Sequence, residues 1–238
     1  MAKRITLTKL ELFHAKVVKR DSRVTVIATD GRENFRLHLT NTGRLNDLLY
    51  PESRILYINL TNKRKVSGRV VGVWLGDSAA LIDTALQARM FEKALELGLI
   101  PWLQRYTVKK KEIIKDGCRF DYLLTNGLDD IILELKSAVY LSNDGAAMYP
   151  DTISERGIRH FKILNKLKLM GENTSIVFIA AHPYAKYFRP NFDIDSRLKT
   201  TLCISLKLNA LIKSIKMHLE GDGSVLLDDA DFPVIIKC

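Results

Sequence analysis

The sequence predicts an α/β (α+β) chain in two parts, a five-stranded OB-like β-barrel over residues 1–78 and a mixed-sheet α/β domain over residues 79–238. Three observations carry this. Short β-rich runs split by turn residues fill the first 75 positions. After Gly76-Asp77-Ser78 the apolar period changes from two to that of a helix. Further on, Thr174–Ala181 (TSIVFIAA) is a nearly unbroken apolar run, as expected of a strand buried on both faces of a parallel sheet.

The β-rich runs are Leu10–Lys19, Arg23–Thr29, Asn34–Leu39, Arg54–Leu60 and Gly68–Leu75. Turn residues divide them: Arg20-Asp21-Ser22, Asp30-Gly31, a longer connection with Asn41-Thr42-Gly43 and Pro51, and Thr61-Asn62-Lys63-Arg64-Lys65. Five short strands match an OB-like barrel, a count other small β-domains share. Leu81, Ala85, Ala88, Phe91 and Leu95 then mark one face of a helix that ends at Leu97-Gly98, with Pro101 beyond. Strands follow at Arg105–Ile114, Arg119–Leu124 and Ile131–Leu141, then a helix over Ser154–Leu169, where Thr152 and Glu155 have capping-box spacing. Strand, helix and buried strand together predict a βαβ crossover. A helix over Asp195–Leu208, a strand over Ala210–Leu219 and a short tail complete the reading.

Of the 238 residues, 47% are hydrophobic and 27% charged, enough for a self-sufficient core, which excludes collagen-like and disordered classes. Lys and Arg number 37 against 27 Asp and Glu, a formal net charge of +10. That excess suggests a polyanionic partner, most simply nucleic acid, beside the plainer reading of a basic soluble surface. Cys118, Cys203 and Cys238 form no CxxC pair and no His lies at metal spacing, so neither a disulfide framework nor a zinc site is expected. The start lacks the apolar core of a signal peptide and no apolar run approaches the roughly 18 residues of a membrane helix. A cytoplasmic protein with no membrane partner is expected. The oligomeric state is left open, a homodimer included.

Charges inside apolar strands point to chemistry. In Ile131-Ile132-Leu133-Glu134-Leu135-Lys136 the pleat sends Glu134 and Lys136 to one face and Leu133 and Leu135 to the other. Asp121 interrupts a second apolar run, Arg119–Leu124, joined to the first by Thr125–Asp130, so the two predict a hairpin. With a loop of residues 126–129 Asp121 lies opposite Glu134. A tighter Asn126-Gly127 turn sets it opposite Ile132, still on Glu134's face. Facing carboxylates about 5 Å apart repel, so a cation belongs between them, a divalent metal or Lys136. Mg²⁺ takes a few carboxylate oxygens plus waters, and a bound water can attack a phosphodiester. The plain alternative is a solvent-facing Glu/Lys pair.

Longer strings then identify a relative. Arg119-Phe120-Asp121-Tyr122-Leu123, Glu134-Leu135-Lys136-Ser137-Ala138, Tyr149-Pro150-Asp151-Thr152-Ile153-Ser154-Glu155-Arg156-Gly157-Ile158-Arg159-His160 and, upstream, His38-Leu39-Thr40-Asn41-Thr42-Gly43 resemble the sugar fermentation stimulation protein family over nearly the whole chain. The resemblance implies DNA binding and an N-terminal OB-fold joined to a nuclease-like domain of the PD-(D/E)xK type. Asp121, Glu134 and Lys136 would be its acid, acid and lysine, with Mg²⁺ or Mn²⁺ as cofactor. Glu92 is the chosen helical acid, with Glu96 second.

Arg156, Arg159 and His160, on the helix after the ExK strand, are candidates for gripping phosphate or shuttling a proton. Asn41 and Thr42 form a candidate ligand-facing loop, in which the local reading gives Gly43 a positive φ. Lys63, Arg64 and Lys65, with Arg69 and Lys109–Lys111, could track a phosphate backbone, or be solvated charge. Tyr57 and Trp74 are base-stacking platforms or core aromatics. No nucleophile elbow, HExxH, Walker loop or GxGxxG occurs. Two readings follow: a Mg²⁺-dependent nuclease-like DNA-binding protein, and a noncatalytic DNA-binding regulator linked to sugar metabolism. An enzyme of small phosphorylated molecules is a third.

Overall fold

The protein is described by a computed structural model that covers residues 4–60 and 65–238. The chain opens with β1 (Ile5–Lys9), β2 (Phe13–Ser22), β3 (Thr25–Thr29), β4 (Asn34–His38), β5 (Arg54–Asn59), β6 (Gly68–Trp74) and β7 (Ser78–Leu81). Strand β2 pairs antiparallel with β3 and β5, β3 with β4, and β5 with β6. A short parallel pairing, Leu37 with Gly68 and His38 with Arg69, joins β4 to β6 and closes a five-stranded barrel. Closure removes the sheet edges that five short strands leave open.

The second part contains α1 (Thr84–Glu96), β8 (Thr107–Lys115), β9 (Cys118–Thr125), β10 (Asp130–Ala138), β11 (Tyr140–Leu141), β12 (Ala146–Tyr149), α2 (Glu155–Leu169), β13 (Asn173–Ala180), β14 (Tyr187–Pro190), α3 (Ser196–Lys207), β15 (Leu211–Glu220) and β16 (Ser224–Phe232). Strands β10, β13 and β15 run parallel in the order β15-β13-β10, with β9 and β8 antiparallel beyond. The crossover expected across α2 is therefore present. Strand β7 pairs with both β6 and β15, so barrel and second sheet are one continuous ladder. Helix α1 packs on one face with Leu133, Val177 and Ile215; α2 and α3 pack on the other with Ile132, Ile176 and Phe178.

Several expectations are corrected. Leu81, read as the first residue of the helix face, belongs instead to strand β7, because the Asp83 carboxylate caps α1 by accepting from Leu86 N and the helix starts at Thr84. The cap of α2 is Ser154, whose Oγ accepts from Gly157 N at 3.0 Å, not Thr152. Strands β1, β12, β14 and β16 were not anticipated; β16 carries Asp228, Asp229 and Asp231, which read as tail while Val225 and Leu227 are buried. Cys203 and Cys238 are disulfide-paired, where no disulfide framework was expected; Cys118 is free and buried. The tail reaches α3 because Phe188 bonds through its backbone to Pro233 and Ile235, a neighbour relation that cysteine spacing does not reveal. No helix of the described residues is long and apolar enough to cross a membrane.

Candidate functional site: an acidic floor between barrel and sheet

Loop 126–129 fixes the hairpin register: Asp130 faces Thr125, Ile132 faces Leu123 and Leu133 faces Tyr122, so one more step brings Glu134 beside Asp121. Asp121 Oδ2 accepts from Leu135 N at 2.7 Å, tying the two strands where their ladder ends. Burial and then the neighbouring Glu134 charge push the Asp121 carboxyl up to about 6. Glu134 is 3% exposed, and burial alone would raise it too, but the Lys136 ammonium and the His160 hydrogen bond hold it below the usual carboxylate range. His160 Nδ1 lies 2.6 Å from Glu134 Oε1, and Lys136 Nζ contacts the same oxygen. Arg156 Nε donates to His160 Nε2 at 3.4 Å, which leaves Nδ1 as the protonated nitrogen that donates to Glu134. Glu134 Oε2 is buried with no hydrogen-bond partner.

Asp121, Glu134 and Lys136 form the floor of a cleft of about 800 Å³ between barrel and second sheet. One wall is Tyr149–Gly157. The other comes from the barrel: Arg20, Arg23 and residues 40–45, including the predicted Asn41 and Thr42. Arg20 is fixed by donating to the carbonyls of Ser22, Arg23 and Arg44. The three arginines were missed in the sequence because Arg20 and Arg23 flank what reads as an ordinary turn. Recurrence does not single them out either, since Arg32 and Arg36 fall in the same 25 residues.

Two clasps hold the barrel loop of residues 40–45 in place, one to the opposite wall and one to the start of α1. Asp151 Oδ2 accepts from Leu45 N at 2.9 Å, and a Cβ on Gly43 would lie 2.6 Å from that oxygen. Gly43 is thus needed for close approach; the positive φ expected of it belongs to Leu45, at 51°. In the second clasp Thr40 Oγ1 donates to Asp83 Oδ1 and accepts from Thr84 N, both at 2.9 Å, while Arg69 Nε sits 2.6 Å from Asp83 Oδ2. Arg69 is consequently committed to a buried carboxylate instead of a phosphate track.

Other candidates fall elsewhere. Glu92 does not join the acidic floor: its Oε1 accepts from Tyr122 Oη at 2.8 Å and its Oε2 meets Lys111 Nζ at 2.6 Å. Tyr122 belongs to the α1-side core against Phe91, whereas Glu134 faces α2, so the sheet separates Glu92 from Glu134. Glu96 is exposed. Lys65 is exposed and outside the cleft lining, while Lys63 and Arg64 lie outside the described residues. Lys109 is paired with Asp130. Tyr57 packs between Phe13 and Phe35 as a barrel aromatic, and Trp74 packs over Gly221. Arg156 lines the cleft; Arg159 and His160, with Arg156, line a second cavity behind it. Among the described residues no group of three or more His, Cys, Asp and Glu side chains converges as a metal cage. The donor set is two carboxylates, which suits an ion that keeps most of its waters.

A closed OB barrel laddered to an α/β sheet, with an acidic floor at the junction, defines a two-part protein, and comparison with known proteins identifies which. The family model described as the SfsA N-terminal OB domain matches residues 13–82, and that of the sugar fermentation stimulation protein RE domain matches residues 85–223. The chain belongs to the sugar fermentation stimulation protein family. It is 35% identical over 219 residues to the homologue of Pyrococcus furiosus, covering 90% of this chain and 93% of that one, and 32% identical over 216 residues to that of Chloroflexus aurantiacus, covering 90% and 83%. The solved structure of Pyrococcus furiosus SfsA in complex with Ca²⁺ matches with a TM-score of 0.93 at 31% identity, over 98% of this chain and all of that one.

Proposed function

We propose that this protein binds DNA in the cleft and hydrolyses phosphodiester bonds there with the help of a divalent cation, Mg²⁺ or Mn²⁺, the site being of the PD-(D/E)xK type. The observation that carries the reading is the orphaned Glu134 Oε2 beside Asp121, on an otherwise buried floor. An unpaired buried carboxylate oxygen is expensive. A cation shared with Asp121 removes that expense, and the Ca²⁺ complex of the Pyrococcus furiosus relative supports the assignment.

Asp121 and Glu134 are the residues that hold the ion, which when bound stabilises developing phosphate charge and lowers the pKa of a bound water. Lys136 sits within reach of an attacking water or a phosphate oxygen on the same face and offsets its charge. His160 is a positioning residue: its Nδ1–H fixes Glu134 Oε1 and thereby aims Oε2. Arg20, Arg23 and Arg44 on the barrel wall grip the flanking phosphates. Hydrolysis adds the water oxygen to phosphorus and releases one ester oxygen as a hydroxyl.

A second reading, a noncatalytic DNA-binding regulator of sugar metabolism, is favoured by one observation: the Lys136 ammonium already neutralises Glu134 without an ion, and His160 hydrogen-bonds the same oxygen. The two separate in a cleavage assay on plasmid and single-stranded DNA with Mg²⁺ or Mn²⁺. The nuclease reading expects metal-dependent nicking that Glu134→Gln and Lys136→Ala abolish while DNA retention persists. Retention with no cleavage under any metal refutes the enzyme and leaves the regulator.

A further inference from the structure

Behind the acidic floor, on the far side of the first turn of α2, lies a separate cavity of about 590 Å³. Three guanidinium groups border it: Arg119 from β9, and Arg156 and Arg159 from α2. His160, 3% exposed, closes its inner end. Negative charge here is scarce. Among the described residues Arg119 has only Glu112, at 3.5 Å, as an ion-pair partner. Arg156 and Arg159 have no ion pair among the described residues; Arg159 donates to the carbonyl of Gly117 at 3.3 Å. The one carboxylate on the rim, Glu155, is taken by Arg197 through contacts of 2.7 and 3.0 Å.

The backbone is shaped for this grouping. Gly117 turns β8 into β9 at φ +67°, and a Cβ there would sit 3.2 Å from Arg159 Nη2, so the turn admits the guanidinium by lacking a side chain. Three like charges with one long ion pair among them repel, and a surface that keeps them together is suited to an anion with several acceptor oxygens. Arg156 also lines the cleft, and its Nε touches His160, whose other nitrogen touches Glu134. Only one imidazole and one guanidinium therefore separate the acidic floor from this cavity.

We propose that the Arg119–Arg156–Arg159 cavity is a phosphate-binding site, and that in the complex with a nucleic-acid strand it seats a phosphate flanking the one over Asp121 and Glu134. The second half of this proposal rests on the reading of the cleft as a nucleic-acid site; the first half does not. A strand leaving the cleft over Arg156 meets Arg159 and Arg119 next, so contact would follow one strand's backbone and carry no base preference.

The test uses the full-length protein without divalent metal and inorganic phosphate as the probe. In a phosphate titration followed by backbone NMR, shifts are expected at Gly117, Cys118, Arg119 and Arg159. Shifts confined to residues 40–45 and 149–154, or none, overturn the site. Calorimetry should show phosphate affinity weakened roughly tenfold in the double variant Arg119→Gln/Arg159→Gln and unchanged in Glu92→Gln, which lies across the sheet and outside both cavities. Equal affinity in the double variant also overturns it. A fluorescent single-stranded oligonucleotide then tests the second half: the double variant should bind it roughly tenfold more weakly, with a shallower salt dependence. Phosphate binding lost while oligonucleotide binding is unchanged refutes the strand placement alone. Failure of the cleavage reading appears elsewhere, as absent metal-dependent nicking with phosphate binding intact.

Discussion

Asp121→Asn is expected to stabilise the metal-free protein, by an amount that depends on pH. The Asp121 carboxyl titrates near 6 in the fold against an ordinary value of 3.8, because it is buried and faces Glu134. A carboxyl whose folded pKa is raised contributes stability that is intact below 3.8 and lost as pH rises through about 6. At about 1.4 kcal/mol per pH unit the gap is worth about 3 kcal/mol above pH 7. Asparagine is nearly isosteric, keeps an oxygen to accept from Leu135 N and never ionises, so it escapes the penalty. Urea unfolding of wild type and variant, in chelator, at intervals from pH 4 to pH 8 measures the difference directly. The variant's advantage should be near zero at pH 4, grow between pH 4 and 6, and level off above pH 7. A difference that does not change with pH refutes the buried, charge-opposed placement of Asp121. Saturating Mn²⁺ should reverse the order at pH 7, since only wild type offers both carboxylates.

Glu92→Gln should leave Mn²⁺ affinity unchanged, and Tyr122→Phe should lose about 1 kcal/mol of stability with no change in metal binding, both read by calorimetry and urea unfolding. A metal defect in Glu92→Gln would return that residue to the site. Gly43→Ala places a Cβ against the Asp151 carboxylate and should destabilise by about 1–3 kcal/mol; a neutral result in thermal unfolding refutes the clasp. Reducing the Cys203–Cys238 bridge, which closes a separation of 35 residues, should lower stability by about 2–4 kcal/mol, seen as a lower urea midpoint in reductant. An unchanged midpoint contradicts a structural role for the bridge.

Much of this fold is legible in the sequence because its signals are local. The barrel strands are short alternating runs with turn residues between them, and the strand over residues 173–180 is apolar throughout, so the five-stranded barrel and the βαβ crossover could be read directly. The sequence offered two hairpin loops, residues 126–129 or a tighter Asn126-Gly127 turn, both with Asp121 on Glu134's face, and the structure has the four-residue one. What escaped depends on distant partners. Strand β1 buries only Leu7 fully and exists because β16 pairs with it. Glu92 has the spacing of a residue on the sheet-facing side of α1, yet periodicity cannot say which sheet face the helix covers. The Asp151 clasp, whose donor and acceptor are 106 positions apart, leaves only a glycine and an Asp after proline as its trace. Arg20 and Arg23 look like turn residues until the barrel wall is set against the cleft.

The measurement that bears most directly on the central reading is calorimetric titration of Mg²⁺ and Mn²⁺ into wild type, Asp121→Asn and Glu134→Gln at pH 7, each then incubated with plasmid and single-stranded DNA. Binding of one ion by wild type, lost in both variants, together with nicking that requires the ion, is the predicted result. Absence of binding in wild type, or binding that survives in both variants, contradicts the assignment of Asp121 and Glu134 as a divalent-cation site.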